Sequence, residues 1–135
     1  MNPGRIVLDS YALIAYFENE KGADRVERFL HQAESSRTPL LLSIVNWGEV
    51  YYALYRSKGE KEAERGILII DQLPITVVDV NRTITYQAAR LKAKYAVAFG
   101  DCFAGALAMI NQALVLTGDP EFKKLEEEVP VNWIS

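Results

Sequence analysis

One cysteine, Cys102, and one histidine, His31, stand in 135 residues. A single thiol makes no intramolecular disulfide and no cysteine-based zinc site, and a single imidazole excludes His-rich metal sites. Positive charge is not in surplus either. Fifteen lysines and arginines against 18 acids leave a net charge of −3, which argues against binding nucleic acid by bulk charge but leaves room for acids gathered around a metal. The longest apolar runs are far too short to cross a bilayer, so no membrane partner is expected. Met1-Asn2-Pro3-Gly4-Arg5 lacks a positive region leading into a long apolar stretch, so it is not expected to be a secretory signal. The expected setting is a reducing cytoplasm. No linker rich in Pro, Gly or Ser divides the chain, and there is no repeat or low-complexity tract. The hydrophobic fraction of 50% and charged fraction of 24% match an ordinary globular chain and exclude disorder and coiled coil.

Four short apolar runs are rich in branched residues: Ile6-Val7-Leu8, Leu40-Leu41-Leu42, Ile75-Thr76-Val77-Val78 and Ala113-Leu114-Val115-Leu116. Such runs read as strands buried on both faces. Val131-Asn132-Trp133-Ile134 is a fifth, weaker candidate. Between them lie helical patterns over 10–18, 22–34, 45–57, 60–72, 82–96 and 101–112, with a short last helix over 120–127. Gly59 separates two of these. In 82–96, Ile84, Ala88, Leu91 and Tyr95 recur at helical spacing. Strands alternating with helices predict a single three-layer α/β/α domain over 1–135, with a central, mainly parallel five-stranded sheet.

In open α/β sheets, ligands bind beyond the carboxyl ends of the strands. Asp9 follows Ile6-Val7-Leu8, and Asp119 follows Val115-Leu116-Thr117-Gly118. Asp101 opens the apolar helix 101–112 behind Gly100, and Glu49 lies early in the helix after Leu40-Leu41-Leu42-Ser43. Each aspartate also has a plainer reading, as an N-cap accepting orphan backbone N–H groups, above all Asp119-Pro120. Glu49 has one too, as a solvent-facing residue paired with Arg56. Taken together, however, the four carboxylates repel one another unless a cation sits among them. An oxygen-only ligand set suits Mg²⁺ or Mn²⁺, and such a site can activate water and stabilise charge on a transferring phosphoryl group. Ser10 and Thr117 supply supporting hydroxyls, or turn and cap hydrogen bonds. His31 reads as a surface residue and Cys102 as core.

The segments Ile6-Val7-Leu8-Asp9-Ser10-Tyr11-Ala12-Leu13-Ile14-Ala15-Tyr16-Phe17, Ser43-Ile44-Val45-Asn46-Trp47-Gly48-Glu49-Val50, Phe99-Gly100-Asp101-Cys102-Phe103-Ala104-Gly105-Ala106-Leu107-Ala108 and Leu116-Thr117-Gly118-Asp119-Pro120-Glu121-Phe122 resemble, in order, the four motif regions of PIN-domain ribonucleases. Their order and the compact length look most like the VapC toxins of toxin–antitoxin pairs. The resemblance covers about 5 to 134. It implies Mg²⁺- or Mn²⁺-dependent cleavage of RNA, with Asp9, Glu49 and Asp101 matching the metal-binding acids and Asp119 the fourth, more variable one. Thr117 matches a polar position near the site. Two positions depart: Cys102 stands where alanine is usual, and Ala98 where serine is common.

The toxin resemblance also implies a homodimer and an antitoxin partner wrapping the helical pair 45–57 and 60–72. That pair carries Trp47, Tyr51, Tyr52, Tyr55, Ile67, Leu68 and Ile70, more large apolar surface than one side of a small sheet needs. RNA phosphates would meet basic residues drawn from Arg25, Arg28, Arg37, Arg56, Lys58, Arg82, Arg90, Lys92 and Lys94, each of which reads equally as part of a solvated helix face. The alternatives are a PIN ribonuclease of RNA processing or decay, and a catalytically inactive α/β interaction module. A receiver domain lacks its acidic pair before Asp9, a nucleotide-binding module its glycine-rich loop, and a haloacid-dehalogenase phosphatase its second aspartate, where Tyr11 stands.

Overall fold

The computed structural model describes residues 5–135. Met1–Gly4, most of the stretch expected not to be a secretory signal, lie outside the described residues. The elements run β1 (Ile6–Leu8), α1 (Ser10–Phe17), α2 (Ala23–Ser36), β2 (Leu40–Ser43), α3 (Ile44–Lys58), α4 (Glu60–Gln72), β3 (Ile75–Val78), α5 (Arg82–Lys94), α6 (Phe99–Asn111), β4 (Leu114–Thr117), a 3₁₀ helix (Pro120–Leu125) and β5 (Val131–Trp133). The five strands form one sheet in the order β3-β2-β1-β4-β5, and every pairing is parallel. The chain moves outward from β1 to β2 and β3, then returns to the other side of β1 with β4 and β5. Strand order therefore reverses between β1 and β4, the place where such sheets bind ligands.

Alternation along the strands builds the layers. Val7, Leu41 and Val115 sit in register and face α5, α6 and the 3₁₀ helix, joining Ala88, Leu91, Leu107 and Phe122. Leu8, Leu42 and Leu116 face the other way, packing with Leu13, Val26, Leu30, Val50 and Ile70 from α1 to α4. These strands are buried on both faces, which is why they read as continuous apolar runs rather than alternating ones. Truncating a fully buried residue such as Leu8 or Leu42 to alanine costs about 2–5 kcal/mol.

The helix starts are chemically marked. Ser43 accepts the Val45 N–H at 3.2 Å and Asn81 the Ile84 N–H at 2.8 Å. Gly59 separates α3 from α4 with φ +95, a left-handed conformation that side chains disfavour. Two boundaries depart from the sequence reading. α6 begins at Phe99 rather than 101, with Ala98 as an N-cap that offers no side-chain acceptor. The stretch 120–127 holds a 3₁₀ helix over Pro120–Leu125, a form chains favour in short pieces. Cys102 is fully buried and His31 exposed, as expected. Burial, then the neighbouring Asp101, pushes the Cys102 thiol up to about 11.

Candidate active site

Register brings the first two acids together. Leu8 pairs with Leu116, so the next residues, Asp9 and Thr117, leave adjacent strands side by side. Asp9 is buried and caps α1, its Oδ1 accepting the Ala12 N–H at 2.8 Å. Its Oδ2 accepts the hydroxyl of Thr117. The same Thr117 oxygen accepts the Asp119 N–H at 3.0 Å, and Asp119 Oδ1 accepts the Glu121 N–H at 3.0 Å. Asp9 and Asp119 are therefore caps, but caps pinned to one another through Thr117. Ser10 is half-buried and makes no side-chain hydrogen bond to these groups among the described residues.

Asp101 is not a cap. It is the third residue of α6, buried, in a helix whose N-cap is Ala98. The serine common at position 98 would supply the missing cap acceptor. Glu49, half-buried on α3, is not paired with Arg56, which lies over the Tyr52 ring at 5.2 Å. Its Oε1 instead accepts Nδ2 of Asn46 at 2.8 Å, and Asn46 Nδ2 also reaches the Gly100 carbonyl at 3.1 Å. A Cβ on Gly100 would stand 2.2 Å from Glu49 Oε2, so Glu49 lies against the start of α6, one residue from Asp101.

The acids feel one another. Burial, followed by Asp101 and Asp119, pushes the Asp9 carboxyl from 3.8 up to about 7, against the lowering pull of its hydrogen bonds from Thr117 and Ala12. Burial, then Asp119, Glu49 and Glu121, pushes Asp101 up to about 7 as well. No positive group among the described residues offsets this. The ion pairs among the described residues join Arg65 to Glu62, Lys94 to Glu128 and Lys124 to Glu121, none of them to the four acids. Uncompensated oxygen donors at one edge fit a hard divalent cation, with Asp9, Glu49, Asp101 and Asp119 as the residues that would hold it. As they stand, no three His, Cys, Asp or Glu among the described residues converge into a ready cation cage. An apolar cleft of about 340 Å³ lies elsewhere, lined by Ile6, Leu40 and Leu114 at the opposite ends of the strands.

Sequence reasoning missed Asn46, Gly100 and Glu121. The signal for Asn46 was its position three residues before Glu49 on one helix face. Of the basic candidates, Arg25 is tied to Asn132 at 2.8 Å, Lys92 to the Val97 carbonyl at 2.6 Å and Lys94 to Glu128 at 2.9 Å. Of the apolar set on α3 and α4, Ile70 is core, while Tyr52, Tyr55 and Leu68 are exposed.

The PIN domain family model matches residues 6–128. No curated protein matches the sequence. Among solved structures, VapBC2 from Rickettsia felis, bound to a DNA fragment from its promoter, is similar with a TM-score of 0.76 at 14% identity, over 95% of this chain and 97% of that one. DNA-bound VapBC from Salmonella typhimurium gives 0.72 at 13% identity, over 98% and 99%. VapC20 from Mycobacterium tuberculosis, a sarcin-ricin loop cleaving toxin, gives 0.68 at 17%, over 87% and 92%. At these identities the likeness establishes the fold.

Proposed function

This chain belongs to the PIN domain family, and we propose that it is a Mg²⁺- or Mn²⁺-dependent endoribonuclease, the toxin of a toxin–antitoxin pair, acting as one domain over 1–135. The observation that supports the reading is that Asp9, Glu49, Asp101 and Asp119 lie near enough at the strand-order reversal to act on one another's charge, and that none of them has an ion-pair partner among the described residues. A bound divalent cation would supply Lewis-acid chemistry there, acidifying water and offsetting charge on the phosphodiester. The chain's own residues do the positioning. Thr117 orients Asp9 and holds the Asp119 turn. Asn46 orients Glu49. Asp101, on a helix of small residues, presents a carboxylate that accepts no side-chain hydrogen bond among the described residues. Neither the single cysteine, buried and with its thiol pushed up to about 11, nor the exposed His31 offers a competing nucleophile or base.

The toxin reading is supported by end-to-end likeness to VapBC proteins of the same length and by the exposed Tyr52, Tyr55 and Leu68 on α3 and α4, a surface for an antitoxin or a second copy. No helix among the described residues is long and apolar enough to cross a membrane, which accords with a cytoplasmic toxin. The test is cleavage of mixed RNA oligonucleotides by purified protein with Mg²⁺, Mn²⁺ or EDTA, alongside Asp9→Asn. Asparagine keeps the α1 cap, so the fold is expected to survive. Cation-dependent cleavage by wild type and a loss of about 10²-fold or more in the variant is expected. Equal cleavage by both would overturn the assignment. Growth arrest on induction, relieved by the product of the neighbouring reading frame, separates a toxin from a ribonuclease of RNA decay.

A further inference from the structure

We propose that Asn46 and Gly100 are a paired positioning device that fixes the Glu49 carboxylate beside Asp101 for divalent-cation binding, an inference resting on the reading of the acids as a cation site. Asn46 is fully buried in the first turn of α3, where a polar amide is expensive unless its bonds are made. Its donors are made. Nδ2 gives one proton to Glu49 Oε1 at 2.8 Å and one to the Gly100 carbonyl at 3.1 Å. Both partners can only accept, which fixes the amide orientation. Its Oδ1 is buried and has no partner among the described residues. What the side chain does there is given by its donors, which hold Glu49 on α3 and the start of α6 together.

Gly100 supplies the other wall. Its backbone is not left-handed, positive φ among the described glycines being confined to Gly22 and Gly59, so space rather than conformation demands glycine. An added Cβ would meet Glu49 Oε2 at 2.2 Å and Cδ at 2.7 Å. One carboxylate oxygen is thus held by Asn46, and the other lies on ground that only glycine leaves open. The Gly100 carbonyl closes the link from α3 to α6 one residue before Asp101. Gly100→Ala displaces only the end of a flexible side chain, and alanine is the better helix former. Cation affinity should fall while the metal-free fold is unharmed, two effects that a general structural defect would move together.

The experiment is Mn²⁺ titration by calorimetry on purified wild type, Gly100→Ala, Asn46→Ala and the control Gly48→Ala, whose added Cβ would meet nothing within 4 Å, with Tm of the metal-free proteins. Wild type and Gly48→Ala should bind alike. Gly100→Ala and Asn46→Ala should bind about 10–100-fold more weakly, Gly100→Ala with a Tm at or above wild type. Should Asn46→Ala fail to fold, Gly100→Ala decides. A folded Gly100→Ala that binds Mn²⁺ like wild type overturns the device, as does one whose weaker binding comes with a lowered Tm. Wild type that binds neither Mn²⁺ nor Mg²⁺ overturns the cation reading itself.

Discussion

Thr117 and Asp9 meet across the β1–β4 pair, the Thr117 hydroxyl donating to Asp9 Oδ2 while its oxygen accepts the Asp119 N–H at 3.0 Å. A hydroxyl has one proton to give and lone pairs to receive. Here both capacities are spent on joining two acids that follow different strands.

Thr117→Val keeps the β-branched shape and removes both bonds. Urea unfolding should show a loss of about 1–3 kcal/mol from the unsatisfied groups left behind, and cation-dependent RNA cleavage should drop about 10–100-fold. Thr117→Ser should lie near wild type in both. A valine variant with wild-type cleavage would mean that Thr117 supports the fold alone.

Stability of the cation-free protein should fall as pH rises. Asp9 and Asp101 hold their protons up to about 7 in the fold, against 3.8 as the ordinary value. Between those values the folded chain binds more protons than the unfolded one, so raising pH favours unfolding. Glu128 is shifted the other way, lowered from 4.5 chiefly by Lys94, so its opposing contribution changes mainly below about pH 5, at the acid end of this window. Tm in EDTA should therefore be higher at pH 5 than at pH 8, with excess Mg²⁺ recovering the loss at pH 8. A Tm that climbs from pH 5 to 8 in EDTA would contradict the burial of these carboxyls.

Asp119 has a cap and a charge that can be separated. Asparagine can still accept the Glu121 N–H, so Asp119→Asn should hold stability within about 0.5 kcal/mol, whereas Asp119→Ala should lose about 1 kcal/mol. Both remove the charge, and both should weaken Mn²⁺ binding to the same degree. Binding that tracks the cap instead, intact in asparagine and lost in alanine, would make Asp119 a structural residue only.

Leu68 is 62% exposed and Tyr55 45%, so Tyr55→Glu with Leu68→Glu should change stability by no more than about 1 kcal/mol. The double variant is expected to keep RNA cleavage and lose co-purification with the antitoxin or self-association in light scattering. Unchanged assembly would place the partner surface elsewhere.

The inner strands β1, β2 and β4 were legible because they are short apolar runs buried on both faces. Asp9 and Asp119 were legible by position, each a step past such a run. Capping occupies only Oδ1 of each, accepting from Ala12 at Asp9 and from Glu121 at Asp119, so the cap reading and the site reading do not exclude one another. Asp101 was read as a possible cap because helix start signals are weak where Ala98 stands; α6 begins two residues earlier, and that shift carries Asp101 inside the helix. Asn46 and Gly100 escaped notice because they are far apart in sequence and matter only where α3 crosses α6.

The amino-acid sequence alone determined the strands, the helices between them and which acids follow which strand, because each depends on side-chain periodicity and on neighbours a few residues away. Only the tertiary structure decided that Thr117 joins Asp9 to Asp119, that Glu49 turns to Asn46 instead of Arg56, and that a side chain at position 100 would have to displace Glu49. Those contacts link residues from 9 to 119 across strands and helices, and their geometry exists only once β1, β4, α3 and α6 have packed.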